Sequence, residues 1–125
     1  IVGSQSEKNI YLEKINDGIN KDQIIDLMGE TLTLTGAYML KSNLFIGNDS
    51  GLMHLSTASH LPTIGLFGPT NDKIYAPKCD NCYVMRTKES YEYFLKNIRD
   101  TSKSYMDSIQ VNDVINIIKE KKLLK

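Results

Sequence analysis

The sequence predicts an α/β fold: one Rossmann-like domain, a parallel sheet with helices on both faces. Three observations carry that expectation. Short unbroken apolar runs, Leu44-Phe45-Ile46 and Thr63 to Phe67 among them, alternate with stretches of helical periodicity. Fully apolar strands between helices belong to parallel sheets covered on both sides. Two of the runs lead into glycine-containing turns, Gly47-Asn48-Asp49-Ser50-Gly51 and Gly65-Leu66-Phe67-Gly68-Pro69-Thr70. Neither an internal repeat nor a low-complexity linker divides the 125 residues, which suffice for one domain with a real core.

Taken in order, Ile1-Val2 reads as a strand end and Gly3-Ser4-Gln5-Ser6 as its exit turn. Ser6 is expected to cap a helix with Glu7 in its first turn and Ile10, Leu12 (or Tyr11) and Ile15 at helical spacing, until Asp17-Gly18 stops it. Gln23 to Met28 admits two readings. Asn20 with Gln23 resembles a capping box, whereas Ile24-Ile25 and Leu27-Met28 before Gly29 suit a short buried strand; the spacing of neighbouring helices favours the strand. Thr31 to Lys41 is predicted helical, capped by Thr31 or Thr33, with Leu32, Leu34, Ala37, Tyr38 and Leu40 as its face. Gly36 weakens that helix by about 1 kcal/mol. Leu44 to Gly47 is the clearest strand, Gly51 to Ser59 a helix ended by His60-Leu61-Pro62, and Thr63 to Phe67 a strand again. Thr70 is expected to cap a short helical piece, Asn71 to Ile74, inside a loop-rich stretch that runs to Tyr83. Tyr83-Val84-Met85 is a short strand, and Glu89 to Asp100 a helix with Tyr91, Phe94, Leu95 and Ile98 on one face. After a polar connection, Ser104 to Gln110, the final helix spans Val111 to Leu124, with Asn112-Asp113 in its first turn and lysines in its last.

Composition narrows the function. Formal net charge is zero, so the chain as a whole has no bias toward nucleic acid. Lys119, Lys121, Lys122 and Lys125 form a basic end that reads as a solvated helix terminus rather than a membrane-binding tail. No apolar run approaches the roughly 20 residues that span a bilayer. The start at Ile1-Val2-Gly3, without a signal peptide, reads as a strand end cut from a longer chain. Cys79 and Cys82 stand as Cys-x-x-Cys, half of a tetrahedral zinc site, with His54 and His60 at no zinc-finger spacing. The surrounding Pro77 and Asn81 read as loop, so the pair is expected to be reduced and metal-free.

The two turns carry the chemistry. If a helix starts at Gly51, the amides of Gly51, Leu52 and Met53 lack intrahelical partners and point out of the positive helix end. Gly51 has no Cβ to keep an oxyanion from the backbone, Ser50 adds a hydroxyl, and His54 lies one turn along. Asp49 or Ser50 could instead merely cap the helix, with His54 an ordinary half-buried residue. His54 on the same face and the second turn, Gly65, Gly68 and Thr70, favour an anion site at the ligand edge of a parallel sheet. Ser50 and His54 do not read as a nucleophile pair, because no orienting carboxylate is evident.

Gly47-Asn48-Asp49-Ser50-Gly51-Leu52-Met53-His54-Leu55, then Ala58, then Pro62-Thr63-Ile64-Gly65-Leu66-Phe67-Gly68-Pro69-Thr70 resemble glycosyltransferase family 9, the heptosyltransferases. The family pattern is roughly D-[TS]-G-x-x-H-x-A followed by P-x-[IV]-x-[LI]-[FY]-G-P-T, from which this chain departs at Ser56-Thr57. Outside the motifs, Gly3-Ser4-x-x-Glu7-Lys8 is similar to the turn where a Glu approaches the nucleotide ribose. Leu27-Met28-Gly29 with Leu32 and Leu34 is similar to the element beside the base. Cys79 and Cys82, with Met106 to Val111, resemble the cysteine-bearing loop and closing helix of many members.

The resemblance implies two Rossmann-like domains facing across a cleft, the GT-B arrangement, of which residues 1–125 are the C-terminal, nucleotide-sugar donor-binding one. The N-terminal acceptor domain, with the catalytic base, lies outside this chain, so no catalytic base is expected here. Implied donor and phosphate contacts are Asp49, Ser50, Gly51, Leu52 and His54, the last stabilising the leaving group. Glu7 and Gly29 fall on the ribose and base side, and Gly65, Gly68 and Thr70 form a flanking loop. No metal or other cofactor is implied. The expected reaction is inverting transfer of heptose from an ADP-sugar to a lipid-linked lipopolysaccharide core acceptor. A UDP-sugar donor or a non-catalytic nucleotide-binding module is the alternative. Such an enzyme would be cytoplasmic, with a peripheral contact to the inner membrane left open.

Overall fold

Every strand pair is parallel in the computed structural model, which describes residues 1–14, 20–97, 100, 102 and 104–124. The α/β expectation is met by two units, residues 1–41 and 42–125.

In the first unit, β1 (Val2–Gly3) pairs with β2 (Leu27–Met28), Val2 opposite Leu27 and Gly3 opposite Met28. Helix α1 (Gln5–Lys14) is capped by Ser4 and not by Ser6. The Ser4 amide and hydroxyl both donate to Glu7 Oε2, at 2.8 and 2.5 Å. Glu lies three residues after the cap, the spacing at which its carboxylate reaches back to the orphan donor. These hydrogen bonds, the hydroxyl's first, hold the Glu7 carboxyl below its ordinary range. Ile15 and the expected stop at Asp17-Gly18 lie outside the described residues.

Lys21–Gln23 forms a single 3₁₀ turn in which Asn20 Oδ1 accepts from the Asp22 amide at 3.0 Å, so part of the capping reading survives as a turn. The strand reading is right for Leu27 and Met28, both buried, but Ile25 precedes the strand and is 58% exposed. Helix α2 (Leu32–Met39) is capped by Thr31, whose Oγ1 accepts from the Leu34 amide at 3.2 Å. Its buried stripe is Thr35 and Met39, four residues apart, while Leu32, Leu34, Tyr38 and Leu40 are exposed. This helix is apolar nearly all round, so periodicity alone selected the wrong stripe.

In the second unit, β3 (Phe45–Asn48), β4 (Thr63–Phe67) and β5 (Cys82–Arg86) lie side by side in that order. Phe45 stands opposite Thr63 and Asn48 opposite Leu66; Thr63 in turn faces Cys82, and Phe67 faces Arg86. Helix α3 (Gly51–Ala58) crosses from β3 to β4. Side chains alternate along a strand, so Thr63, Gly65 and Phe67 share one face of β4. Ser56 of α3 reaches Thr63, Oγ to Oγ1 at 2.8 Å, and Met53 lies over Gly65. Met53, Phe67 and, on the opposite face, Ile64 are wholly buried, so the central strand is covered on both sides. Each of those apolar side chains contributes about 1.5–3 kcal/mol of burial.

Two helices stop without glycine. His60 has φ 55°, donates its amide to Thr57 O at 3.0 Å, and is followed by the Leu61 amide on Ser56 O at 3.1 Å. Lys122 repeats the pattern after α6 (Val111–Glu120), with φ 51° and amide bonds from Lys122 to Lys119 O and from Leu123 to Ile118 O. Both are Schellman ends whose next residue, Leu61 or Leu123, is buried. The last helix is therefore shorter than expected: Leu123 turns inward while Lys119, Lys121 and Lys122 stay exposed.

Helix α4 (Asp72–Tyr75) is capped by Asn71, whose Oδ1 accepts from the Lys73 amide at 3.0 Å, and not by Thr70. Helix α5 (Tyr91–Lys96) starts at a Ser90 cap. Phe94 is buried edge-on to Tyr93 and Tyr105, while Leu95 is exposed and Ile98 lies outside the described residues. The connection before α6 contains a 3₁₀ turn, Tyr105–Ser108. Cys79 and Cys82 are joined by a disulfide, against the expected reduced pair. The Cys82 amide donates to Cys79 O at 3.2 Å, and this turn draws the two Cα atoms to 5.1 Å.

Candidate functional site

The parallel order places three exits at one edge of the second unit's sheet. The turn after β3 and the loop after β4 leave neighbouring strands, because Asn48 stands opposite Leu66. The end of β5 is beside them, Arg86 opposite Phe67. Carboxyl edges of parallel sheets are where such folds hold ligands.

The first exit is short. The Asp49 amide donates to Leu66 O at 3.2 Å and ties the turn to the end of β4. Ser50 is extended, φ −160° and ψ 171°, and occupies the cap position of α3 without a side-chain cap bond. Its carbonyl accepts from the Met53 amide at 3.1 Å and the His54 amide at 3.4 Å. Met53 is thus not one of the free donors expected there: a tight first turn engages its amide, and its side chain is core. Among the described residues the amides of Gly51 and Leu52 and the hydroxyl of Ser50 have no acceptor. A Cβ built on Gly51 would meet nothing within 4 Å, so the helix start is open. His54 is exposed, with no side-chain partner among the described residues. The turn thus presents two backbone donors, a hydroxyl and an imidazole at the positive end of a helix, a set suited to an anion.

The second exit is built differently from the expectation. Gly65 is not in the loop. It lies within β4, buried, where a Cβ would come 2.7 Å from Met53 Sδ and 3.0 Å from Phe67 Cε2. Its role is to let α3 close on the sheet. Gly68 and Thr70 are in the loop, and both turn their carbonyls to one side chain the motif reading missed. Arg86 Nη2 donates to Gly68 O at 2.7 Å, and Nη1 donates to Thr70 O at 2.9 Å and to Asp72 Oδ1 at 2.6 Å. Its signal in the sequence is a lone arginine closing the run Tyr83-Val84-Met85, where the chain leaves the sheet.

In the first unit, Glu7 follows β1 and Gly29 follows β2 at the carboxyl edge of that strand pair. The Gly29 amide donates to Gly3 O at 2.9 Å. Gly29 has φ 81°, a left-handed conformation that favours glycine, and Gln5 occupies the space a Cβ would need. Glu7 uses Oε2 for Ser4 and keeps Oε1 without a partner among the described residues.

Among the described residues no three His, Cys, Asp or Glu side chains gather as a metal site, and no helix is long and apolar enough to cross a membrane.

Known proteins resemble this chain in sequence and in fold. The chain is 30% identical over 114 residues to lipopolysaccharide heptosyltransferase 3 of Escherichia coli, covering 90% of this chain and 34% of that protein. It is 37% identical over 67 residues to lipooligosaccharide heptosyltransferase 2 of Haemophilus influenzae, covering 52% of this chain and 19% of that protein. A crystal structure of a family 9 glycosyl transferase from Veillonella parvula superimposes with a TM-score of 0.78 at 25% identity, over 98% of this chain and 35% of that one. The chain thus spans about a third of the length of the E. coli relative. The sequence signature of glycosyltransferase family 9 (heptosyltransferase) matches residues 1–105, and the chain belongs to that family.

Proposed function

We propose that this chain is the donor-binding, C-terminal part of a two-domain GT-B glycosyltransferase that moves heptose from an ADP-sugar to a lipopolysaccharide core acceptor with inversion. The observation that carries the reading is the open start of α3: unpartnered Gly51 and Leu52 amides, the free Ser50 hydroxyl and exposed His54, in a family 9 chain. Transfer by this route needs a base that deprotonates the acceptor hydroxyl. That hydroxyl attacks the anomeric carbon opposite the leaving diphosphate, on which negative charge grows. Fixed donors aimed at growing charge lower the barrier because they need not reorganise. Gly51, Leu52, Ser50 and His54 take that role. Asp49, a carboxylate that can only accept, suits a sugar hydroxyl better than a phosphate oxygen. Glu7, through Oε1, and Gly29 serve the ribose and base side. The base and the lipid-linked acceptor's contacts belong to sequence beyond this chain, as does any peripheral contact with the membrane.

Titration of the labelled chain with ADP tests the proposal. Amide resonances of Ser50 to His54 should move first and most. A spectrum unchanged at millimolar ADP would sink the reading, and a larger response to UDP would reassign the donor.

A further inference from the structure

Arg86 is the largest feature of the sheet edge that the proposed reaction leaves unused. Its side chain is 17% exposed; Nη1 is engaged by Thr70 O and Asp72 Oδ1, and Nη2 donates to Gly68 O. Its Nε is buried without a partner among the described residues. Both Nη1 donors and one of the two on Nη2 are spent within the loop and the next helix, so most of the fork faces the protein's own carbonyls and carboxylate. What it does is fix peptide planes. Two carbonyls two residues apart are drawn to one planar fork, and the fork is held in turn by a carboxylate from the next helix.

Peptide planarity carries this further. In a trans peptide the C=O and the following N–H point in opposite directions, and the Thr70–Asn71 bond is trans. Because Thr70 O faces the guanidinium, the Asn71 amide faces away from it. Among the described residues that amide has no acceptor, and neither do those of Gly68 and Thr70. The loop leaves the sheet one strand over from the Ser50–Leu52 turn, and neighbouring strands are about 5 Å apart. Met106 backs the loop, its Sδ 3.0 Å from where a Gly68 Cβ would lie.

We propose that Arg86 is a positioning residue for the donor: it sets the Gly68–Asn71 peptide planes so that loop amides flank the diphosphate held at Ser50–Leu52. This rests on the donor-site reading above and deepens it. The alternative within the same site is that Arg86 acts by charge alone, attracting the diphosphate through space.

Asp72 separates the two. Removing its carboxylate takes a negative charge away from the site, which by charge alone tightens ADP binding. If Arg86 acts by holding the loop, loss of the acceptor that anchors its fork weakens binding instead. The test is ADP affinity of the full chain as wild type, Asp72→Ala and Arg86→Lys, with amide spectra of the unliganded proteins. Each variant is expected to bind ADP about tenfold more weakly, and its resonances from Gly68 to Asn71 should shift or broaden while those of Ile64 and Met53 stay in place. Tighter binding by Asp72→Ala, or wild-type affinity in either variant, overturns the proposal. Should Arg86→Lys fail to fold, the sign of the Asp72→Ala effect still decides. A wild-type chain that does not bind ADP overturns the donor-site reading, and this proposal with it. Normal wild-type binding with unaffected variants overturns this proposal alone.

Discussion

Gly65→Ala is the sharpest perturbation the structure offers, because motif reading and structure assign that glycine different roles. As part of a ligand loop it would affect binding in an intact fold. As a packing glycine it affects the fold. The added methyl would sit 2.7 Å from Met53 Sδ, 3.0 Å from Phe67 Cε2 and 3.5 Å from Pro77 Cδ. To reach an ordinary 3.4 Å contact the sulfur must retreat by about 0.7 Å. Met53 and Phe67 are both 0% exposed, so the retreat has no open space to use. Overpacking of this kind costs about 1–3 kcal/mol. For a unit the size of residues 42–125, about 2 kcal/mol lowers Tm by roughly 10 °C. Urea and thermal denaturation of the single mutant measure this. Met53→Ala alone empties the same space and should cost about 2–5 kcal/mol. In the double mutant the methyl fills part of that void, so the two costs should fall short of additivity by about 0.5–3 kcal/mol. A Gly65→Ala protein melting within a degree of wild type, or strict additivity in the cycle, would refute the packing argument.

Four further outcomes follow from the same geometry. His54→Ala in a full-length enzyme should slow transfer about 10²-fold without changing stability, since the imidazole has no protein partner; an unchanged rate in a transfer assay removes it from the leaving-group site. Ser50→Ala should leave stability within about 0.3 kcal/mol, whereas Asn71→Ala and Thr31→Ala, which lose real cap bonds, should each cost about 1 kcal/mol by urea denaturation. His60→Gly and Lys122→Gly should each stabilise by about 0.5–1 kcal/mol, because both relieve a left-handed side-chain residue; a loss of stability by melting would contradict the Schellman assignment. Ser4 donors favour the ionised form of Glu7, so its contribution to α1 is complete above the unfolded-state pKa and disappears as pH falls through the lower folded value. Carboxyl-carbon NMR should show Glu7 titrating below an ordinary glutamate, and Ser4→Ala, which removes the hydroxyl but keeps the backbone amide donor, should reduce the depression without abolishing it.

The strands and the open start of α3 were legible because their signals are local. Thr63–Phe67 is an uninterrupted apolar run with turns at both ends, and the strand has those bounds. Asp49 to His54 pairs a helix start with its dipole, and the open amides follow from helix geometry itself. What stayed hidden depends on contacts distant in the chain. Gly65 reads like its neighbour Gly68 until α3 is laid over it. Arg86 has no motif, and only strand register brings it beside Gly68 and Thr70. The α2 stripe failed because Leu32, Leu34 and Leu40 outweigh Thr35 in any hydropathy count, yet Thr35 is the residue turned inward. The stop at His60 was legible from Pro62 two residues on, whereas Lys122 ends α6 in a conformation usually left to glycine with no such signal beside it.

The strand order β3, β4, β5 also has a consequence for biogenesis. Each strand joins the edge made by the one before it, so this sheet can grow in the direction of translation. The β3–α3–β4 segment, with the Ser50–Leu52 turn inside it, leaves the ribosome ahead of β5, at about 5–20 residues per second. Arg86 arrives only with the last residue of β5. A nascent chain paused before that point has the Ser50–Leu52 turn without the fork that holds its neighbouring loop. On the proposed positioning role of Arg86, donor binding is acquired late, as the final strand docks, and truncation just upstream of Arg86 should leave a sheet core that binds ADP weakly.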